Sequence, residues 1–307
     1  MNSFTSVFRG YVAAFLATLL SGLLVSVGLT EAKLRLHVLP NDSFTDYKRL
    51  FLHGTSTVAA FGDSHVASGL VNQPEIDNLG QASDTLITAL EKAKVRAARG
   101  GLKLIILQAD PQMFSAYRLK ANQQDRISIL SRENDPPLAM LRPEYRQYLM
   151  QFWWSAISGP LAVFSPLHQT EGAPEVSFHS RPLQEQRKEA LLRVQLHAPI
   201  PNPQMTPLAQ RYREAIEYFL HRGIRVCLVA FPVTSHYREA TAGVASFGEA
   251  KLFFAETAMA LGVPYLDYTD SLPDCSFGDS DHLLHEAADE FTHRVLRDCS
   301  AGKRLSP

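Results

Sequence analysis

Two short segments of this 307-residue chain carry the residue types that nucleophilic catalysis needs. The first is Phe61-Gly62-Asp63-Ser64-His65, at the end of the apolar run TVAAF. A serine placed where a buried strand ends and a helix begins presents its hydroxyl at the top of a sheet. Its own backbone N–H then lies at the helix end that favours developing negative charge. Gly62 allows the tight turn this requires. The spacing is not that of the G-x-S-x-G elbow, because position 60 is Ala and position 66 is Val. The second segment is Asp279-Ser280-Asp281-His282. An Asp three residues ahead of a His lets a carboxylate fold back onto the imidazole. It fixes the tautomer and stabilises the imidazolium that forms when the His takes the nucleophile's proton. Asp281 adjoins His282 and has less freedom to reach around, so Asp279 is the expected partner. Taken singly, each segment also fits a plain turn, with Ser64 as a helix-capping residue.

Other chemistries find less support. His282, His285 and His293 with Asp279 and Asp281 offer metal-ligand types, and His282 and His285 could share a helix face. No second set of ligands follows at comparable spacing, so no metal is expected, and His285 and His293 are placed on a solvated helix face. No G-x-G-x-x-G follows a strand and no P-loop is present, so no nucleotide cofactor is expected.

The elements that must position these residues follow from hydrophobic pattern and punctuation. Thr57–Phe61, Lys103–Leu107, Arg225–Ala230 and Val263–Leu266 read as short buried strands. Asp84–Arg99 reads as a helix stopped by Gly100-Gly101, and Pro207–Arg222 as one with Pro in its first turn and Gly223 after its end. Phe247–Leu261 and Leu283–Arg297 complete the helices. Short apolar strands alternating with helices predict an α/β fold, a doubly wound parallel sheet of about five strands with helices on both faces. Both reactive segments then fall at carboxyl ends of strands, the edge where such sheets place ligands. Pro111 to Pro203 breaks the rhythm with Pro136-Pro137, an expected aromatic helix around Tyr145 to Trp154, and a Pro-rich exit, Pro199 to Pro203. It reads as an insertion at about 111–203. Within it Phe152-Trp153-Trp154 either pack the insertion onto the core, line a substrate groove or meet a membrane surface.

Lys and Arg total 30 against 31 for Asp and Glu, giving a formal charge of −1 and no basic stripe, which argues against a nucleic-acid partner. With 46% hydrophobic and 20% charged residues the chain has the make-up of a packed protein. Its mean hydropathy, −0.09, excludes a polytopic membrane protein. Gly10 to Thr30 nevertheless carries no charge. Tyr11 to Leu29 as a helix would span roughly 30 Å, one bilayer core. Residues 1–32 are therefore expected to be a membrane anchor or a signal segment, with 33–307 as the α/β domain. Arg9 on one side and Lys33 with Arg35 on the other leave the orientation open. Cys227, in the run RVCLVA, reads as a buried free thiol. Cys275 and Cys299 flank the second reactive segment and are candidates for a disulfide in an oxidising compartment.

Taken together, order and placement resemble the SGNH, or GDSL, hydrolase superfamily. Gly62-Asp63-Ser64 matches its first block, and Asn78-Leu79-Gly80 resembles the second, whose Gly donates a backbone N–H to the oxyanion. Asp279-x-x-His282 matches the last, with Leu283 and Ala287–Thr292 continuing the usual helix. The third block, Gly-x-Asn-Asp, is replaced by Gln108-Ala109-Asp110-Pro111, so its side-chain oxyanion donor is missing and Gln108 is the residue placed to substitute. The resemblance implies Ser64 as nucleophile, His282 as base, Asp279 as its orienting acid, and the N–H groups of Ser64 and Gly80 around the oxyanion. The anchor, the Pro111–Phe114 segment and the insertion look like one branch, the membrane-tethered alginate O-acetylation and D-alanyl-lipoteichoic acid transfer proteins. That likeness implies an extracytoplasmic domain, periplasmic in a Gram-negative cell, that acylates a polysaccharide or envelope polymer beside a multi-pass membrane O-acyltransferase. The alternatives are an esterase that uses water as acceptor, and a catalytically weak glycan-binding or scaffold protein.

Overall fold

In the computed structural model, residues 2–41, 43–120, 124–133, 135–142, 145 and 177–302 are described. Phe152-Trp153-Trp154 lies outside them. Five strands are present: β1 (Val58–Phe61), β2 (Ile76–Asn78), β3 (Leu104–Gln108), β4 (Arg225–Ala230) and β5 (Tyr265–Asp267). They form one sheet in the order β2-β1-β3-β4-β5, and every pair is parallel. This is the expected doubly wound sheet. Its order reverses at β1, so a crevice opens outside the carboxyl ends of β1 and β3. The register aligns Phe61 with Leu107 and Gln108 with Val229, which brings the ends of these three strands to one edge.

The described helices are α1 (Asn2–Lys33), α2 (Ser43–His53), α3 (Ser64–Gly69), α4 (Leu86–Ala98), α5 (Ala116–Lys120), α6 (Gln124–Leu130), α7 (Leu183–His197), α8 (Pro207–His221), α9 (Ser235–Thr241), α10 (Ala245–Leu261) and α11 (His285–Ser300). Alternate strand residues face opposite layers. Ala60, Leu104, Ile106, Cys227 and Val229 pack with Val66 of α3, with Leu70 just after it, and with Ala288, Phe291 and Val295 of α11. On the other face α4 packs against α8 and β1, and α8 against β4. The helix from Asp84 begins two residues later than expected, at Leu86: Thr85 caps α4 by accepting the Thr88 N–H, and Thr206 caps α8 by accepting that of Ala209.

The chain divides into two compact units. One comprises Met1–Thr45 with Arg132–Gln169, and the other Asp46–Ser131 with Thr170–Pro307. The second holds the sheet. In the first, Phe8–Val38 is long and apolar enough to cross a membrane, with a mean hydropathy of 2.2 and none of its most apolar window buried in the chain. Such a helix near the N-terminus also fits a signal sequence.

The cysteines differ from expectation. Cys227 of β4 is bonded to Cys299 of α11 with Cα atoms 5.7 Å apart, and Cys275 is an exposed free thiol. Flanking the His segment in sequence does not bring Cys275 and Cys299 together, because α11 carries Cys299 roughly 20 Å away at 1.5 Å per residue. That helix lays Cys299 against the strand instead.

Candidate active site

The Ser64 turn is built by its neighbours. Phe61 is fully buried, and a Cβ on Gly62 would run into the Gln108 side chain and Val66. The Asp63 N–H donates to Gln108 Oε1 at 2.6 Å, and the Asp63 side chain caps α3 by accepting the His65 N–H at 2.8 Å. Arg118 pairs with the other Asp63 oxygen at 2.5 Å. Burial pushes Asp63 up, but the Arg118 and His65 charges outweigh it and hold the carboxyl well below the usual range. Ser64 is the first residue of α3 and is half-buried, and its backbone N–H has no acceptor within the helix. Asn78 at the end of β2 closes the other end of α3, its Nδ2 donating to Val66 O at 2.9 Å and Leu70 O at 2.7 Å.

The structure brings Asp279 and His282 together. Asp279 Oδ2 lies 2.7 Å from His282 Nδ1, and its Oδ1 accepts the backbone N–H groups of Asp281 and His282 at 3.0 and 2.7 Å. Asp281 Oδ1 stands farther off, 3.9 Å from the same Nδ1. His282 Nε2 is buried and has no hydrogen-bond partner among the described residues. Ser64 Oγ therefore makes no bond to it here, as is common for a nucleophile and base in a resting site. Burial pulls His282 down, and the charges of Asp281 and Asp279 overcome this and raise it above the ordinary value.

Beneath this pair lies a charge cluster that sequence reasoning did not find. His65 is 1% exposed, with Nδ1 2.9 Å from Asp110 Oδ2 and Nε2 3.1 Å from Asp281 Oδ2. Burial pulls its pKa down, but hydrogen bonds to these two carboxylates push it up to about 10. Its ring meets that of His282 edge-on, with centroids 5.5 Å apart. Asp110, where β3 ends, also accepts the Phe231 N–H at 2.7 Å. Asp281 Oδ1 takes Ser280 Oγ at 3.0 Å and Arg193 Nε at 3.1 Å. His197, four residues after Arg193 on α7, has Nδ1 3.0 Å from Tyr237 Oη, and burial pulls it down to about 3. The available signals were His65 itself, next to Ser64, and the Arg193/His197 spacing that puts both on one helix face. His285 and His293 are exposed on α11.

The other expected oxyanion donors are engaged elsewhere. Gly80 donates its N–H to Asn78 Oδ1 at 3.0 Å, and it is packed so tightly that a Cβ would sit 2.6 Å from the Ala67 nitrogen. Gln108 is 2% exposed, with Oε1 on Asp63 and Nε2 on Asp110 Oδ2 at 2.7 Å. Both residues hold the Ser64 turn in place, which is why their polar groups are spent inside the protein. His65, Asp281 and His282 bring metal-ligand atoms within 4.8 Å of one another. Both His65 nitrogens already face carboxylates.

No protein-family profile matches the chain, and no curated protein matches it significantly. Among solved structures, a protein described as an acylhydrolase from Bacteroides fragilis aligns at 10% identity with a TM-score of 0.41, over 84% of this chain and 94% of that one. A protein described as lipolytic, of the G-D-S-L family, from Desulfitobacterium hafniense aligns at 12% and 0.37, over 80% and 99%. A lipase/acylhydrolase from Enterococcus faecalis aligns at 11% and 0.39, over 82% and 100%. Likeness at this level transfers neither fold nor function, and the chemistry rests on the residues of this chain.

Proposed function

We propose that the sheet-bearing unit is a serine-dependent acyl-transfer domain of the SGNH kind. The observation that carries this reading is His282: its Nδ1 is held by Asp279 at 2.7 Å, while its buried Nε2 has no partner among the described residues, at the strand edge that also presents Ser64. In the reaction Ser64 Oγ attacks the carbonyl carbon of an acyl ester as His282 Nε2 takes the hydroxyl proton. The tetrahedral intermediate collapses, the leaving alkoxide receives that proton, and the acyl group stays on Ser64. A second hydroxyl then attacks the acyl carbon, giving its proton to His282, and as this second tetrahedral intermediate collapses the bond to Ser64 breaks and His282 returns the proton to Ser64 Oγ. Asp279 holds the ring in one tautomer throughout. The Ser64 N–H faces the oxyanion.

The acceptor in this reading is a hydroxyl of an extracytoplasmic polysaccharide or envelope polymer, the acyl group is acetyl, and a multi-pass membrane O-acyltransferase supplies it. Two features support that placement: the apolar α1 as anchor, and the Cys227–Cys299 disulfide, since such bonds persist in oxidising compartments. A second reading, a scaffold or a site completed only by its membrane partner, is favoured by Gly80 and Gln108, whose donors are turned inward. Loss of one oxyanion donor costs on the order of 10²–10³ in rate.

Treating the full chain in detergent with a serine-reactive fluorophosphonate and reading intact mass separates the two. One adduct, absent in Ser64→Ala and His282→Ala, is the expected result. A folded protein that takes no adduct moves the assignment to the scaffold.

A further inference from the structure

His65 occupies a position that the reaction described above does not use, yet it is among the most completely buried polar side chains of the unit. It stands between two carboxylates from different parts of the chain, Asp110 after β3 and Asp281 in the His segment. Its ring lies against that of His282. Asp281 is the nearest carboxylate to His282 after Asp279. If it carried its charge unopposed, His282 would sit between two anions and remain an imidazolium, which cannot accept the Ser64 proton.

We propose that His65 is a positioning residue of this site: as a buried cation bound to Asp281 it offsets part of that carboxylate's charge, limiting how far Asp281 holds the proton on His282 and leaving His282 able to work as a base. The inference rests on the assignment of Ser64 and His282 as nucleophile and base. Three arrangements make it physical. Asp281 Oδ2 is turned onto His65 Nε2 at 3.1 Å, away from His282. Its Oδ1 is held by Ser280 and by Arg193 from α7. Asp110 anchors the far side of His65 and is itself fixed by the Phe231 N–H.

Among the described residues, the following charged and titratable groups surround the pair. His282 faces Asp279 and Asp281 from its own segment, His65 from α3, and Arg193 from α7, whose guanidinium lies 3.5 Å from Asp279 and 3.1 Å from Asp281. His65 faces Asp110, Asp281, Asp63 with its partner Arg118, and His197, whose Nδ1 is 3.6 Å from Asp281 and bonds Tyr237. Burial pulls His197 down to about 3, which leaves His65 and Arg193 as the cations that oppose Asp281.

The test is a titration of the histidine side chains by NMR, using the full chain in detergent with labelled histidine. Signals are assigned by their loss in His65→Gln and His282→Gln. With unit charges about 5.5 Å apart at an effective dielectric constant of about 20, removing the His65 charge should raise the His282 midpoint by about 2 pH units. Fluorophosphonate labelling at the foot of the acid limb then slows about a hundredfold. Asp281→Asn should move the His282 midpoint down, and His65→Gln/Asp281→Asn should return it near the wild-type value. An unmoved midpoint in His65→Gln, or no return in the double variant, overturns the proposal. If His65→Gln does not fold, Asp281→Asn decides: the His282 midpoint, assigned with His282→Gln, should fall, and an unmoved midpoint overturns the proposal. These readouts need no catalysis, so failure of the serine assignment appears separately, as absence of labelling at Ser64 beside an intact His65 effect.

Discussion

Asp279 holds His282 twice, accepting its backbone N–H on Oδ1 and standing against ring Nδ1 with Oδ2, each at 2.7 Å. One side chain thereby sets both the path of the main chain and the direction of the imidazole. Asp279→Asn keeps an oxygen for the backbone bond but places an N–H donor against Nδ1, which favours the wrong tautomer. The labelling rate at Ser64 should fall by roughly 10⁴, the scale seen when a triad acid is made an amide. Urea unfolding should change little. Comparable rates for the variant and the wild type would remove Asp279 from the mechanism.

The pH profile of labelling carries a sign. Asp281 and Asp279 raise His282 above the ordinary histidine value of 6.5 against the pull of burial. A base must be neutral to act, so the acid limb should have its midpoint above 6.5, with the rate rising toward alkaline pH. Stopped-time intact mass across pH 5 to 9, a range on the order of the histidine and near-neutral window, measures it. A midpoint below 6.5 would contradict the arrangement.

Stability should also follow pH through His65. Its pKa is higher folded, about 10, than the value near 6.5 it takes unfolded. The stabilisation is therefore complete below about pH 6.5 and is lost progressively as pH rises toward about 10. Urea midpoints of the wild type should decline across that window more steeply than those of His65→Gln. Parallel slopes would show that His65 is not charged in the native state.

Cys227, Cys275 and Cys299 make distinct promises. The oxidised native protein should take one iodoacetamide adduct, on Cys275, and three after reduction and unfolding. Cys299→Ser should lower stability by about 2–5 kcal/mol, the usual effect of removing a native disulfide. Three adducts without reductant would mean that the bond is not made.

The parts of the fold legible in the sequence were those with apolar runs bounded by Gly or Pro. Arg225–Ala230 is a strand as read, and α8 ends one residue from its expected stop. β2 escaped because Ile76-Asp77-Asn78 is short and polar, gaining strand geometry only by pairing with β1. α7 escaped because two of its four buried positions, Gln186 and His197, are polar while Leu191, Leu192 and Leu196 are exposed. The same reason hid the charge cluster. Arg193 and His197 reach the site only because α7 lies beside the His282 segment, a proximity that no spacing along the chain encodes. Ser64, Asp279 and His282 could be picked out because each lies at a strand or helix end that local pattern already marks.

The disulfide has one more consequence. Cys227 and Cys299 are 72 residues apart, and the ring they close contains Asp279 and His282 but not Ser64. The Ala242-Gly243 turn within that ring is exposed. A single protease cut there would leave a molecule of unchanged size on a non-reducing gel that separates into two pieces with reductant. In that nicked form the nucleophile and its base would belong to different polypeptides, joined side by side through one sulfur–sulfur bond.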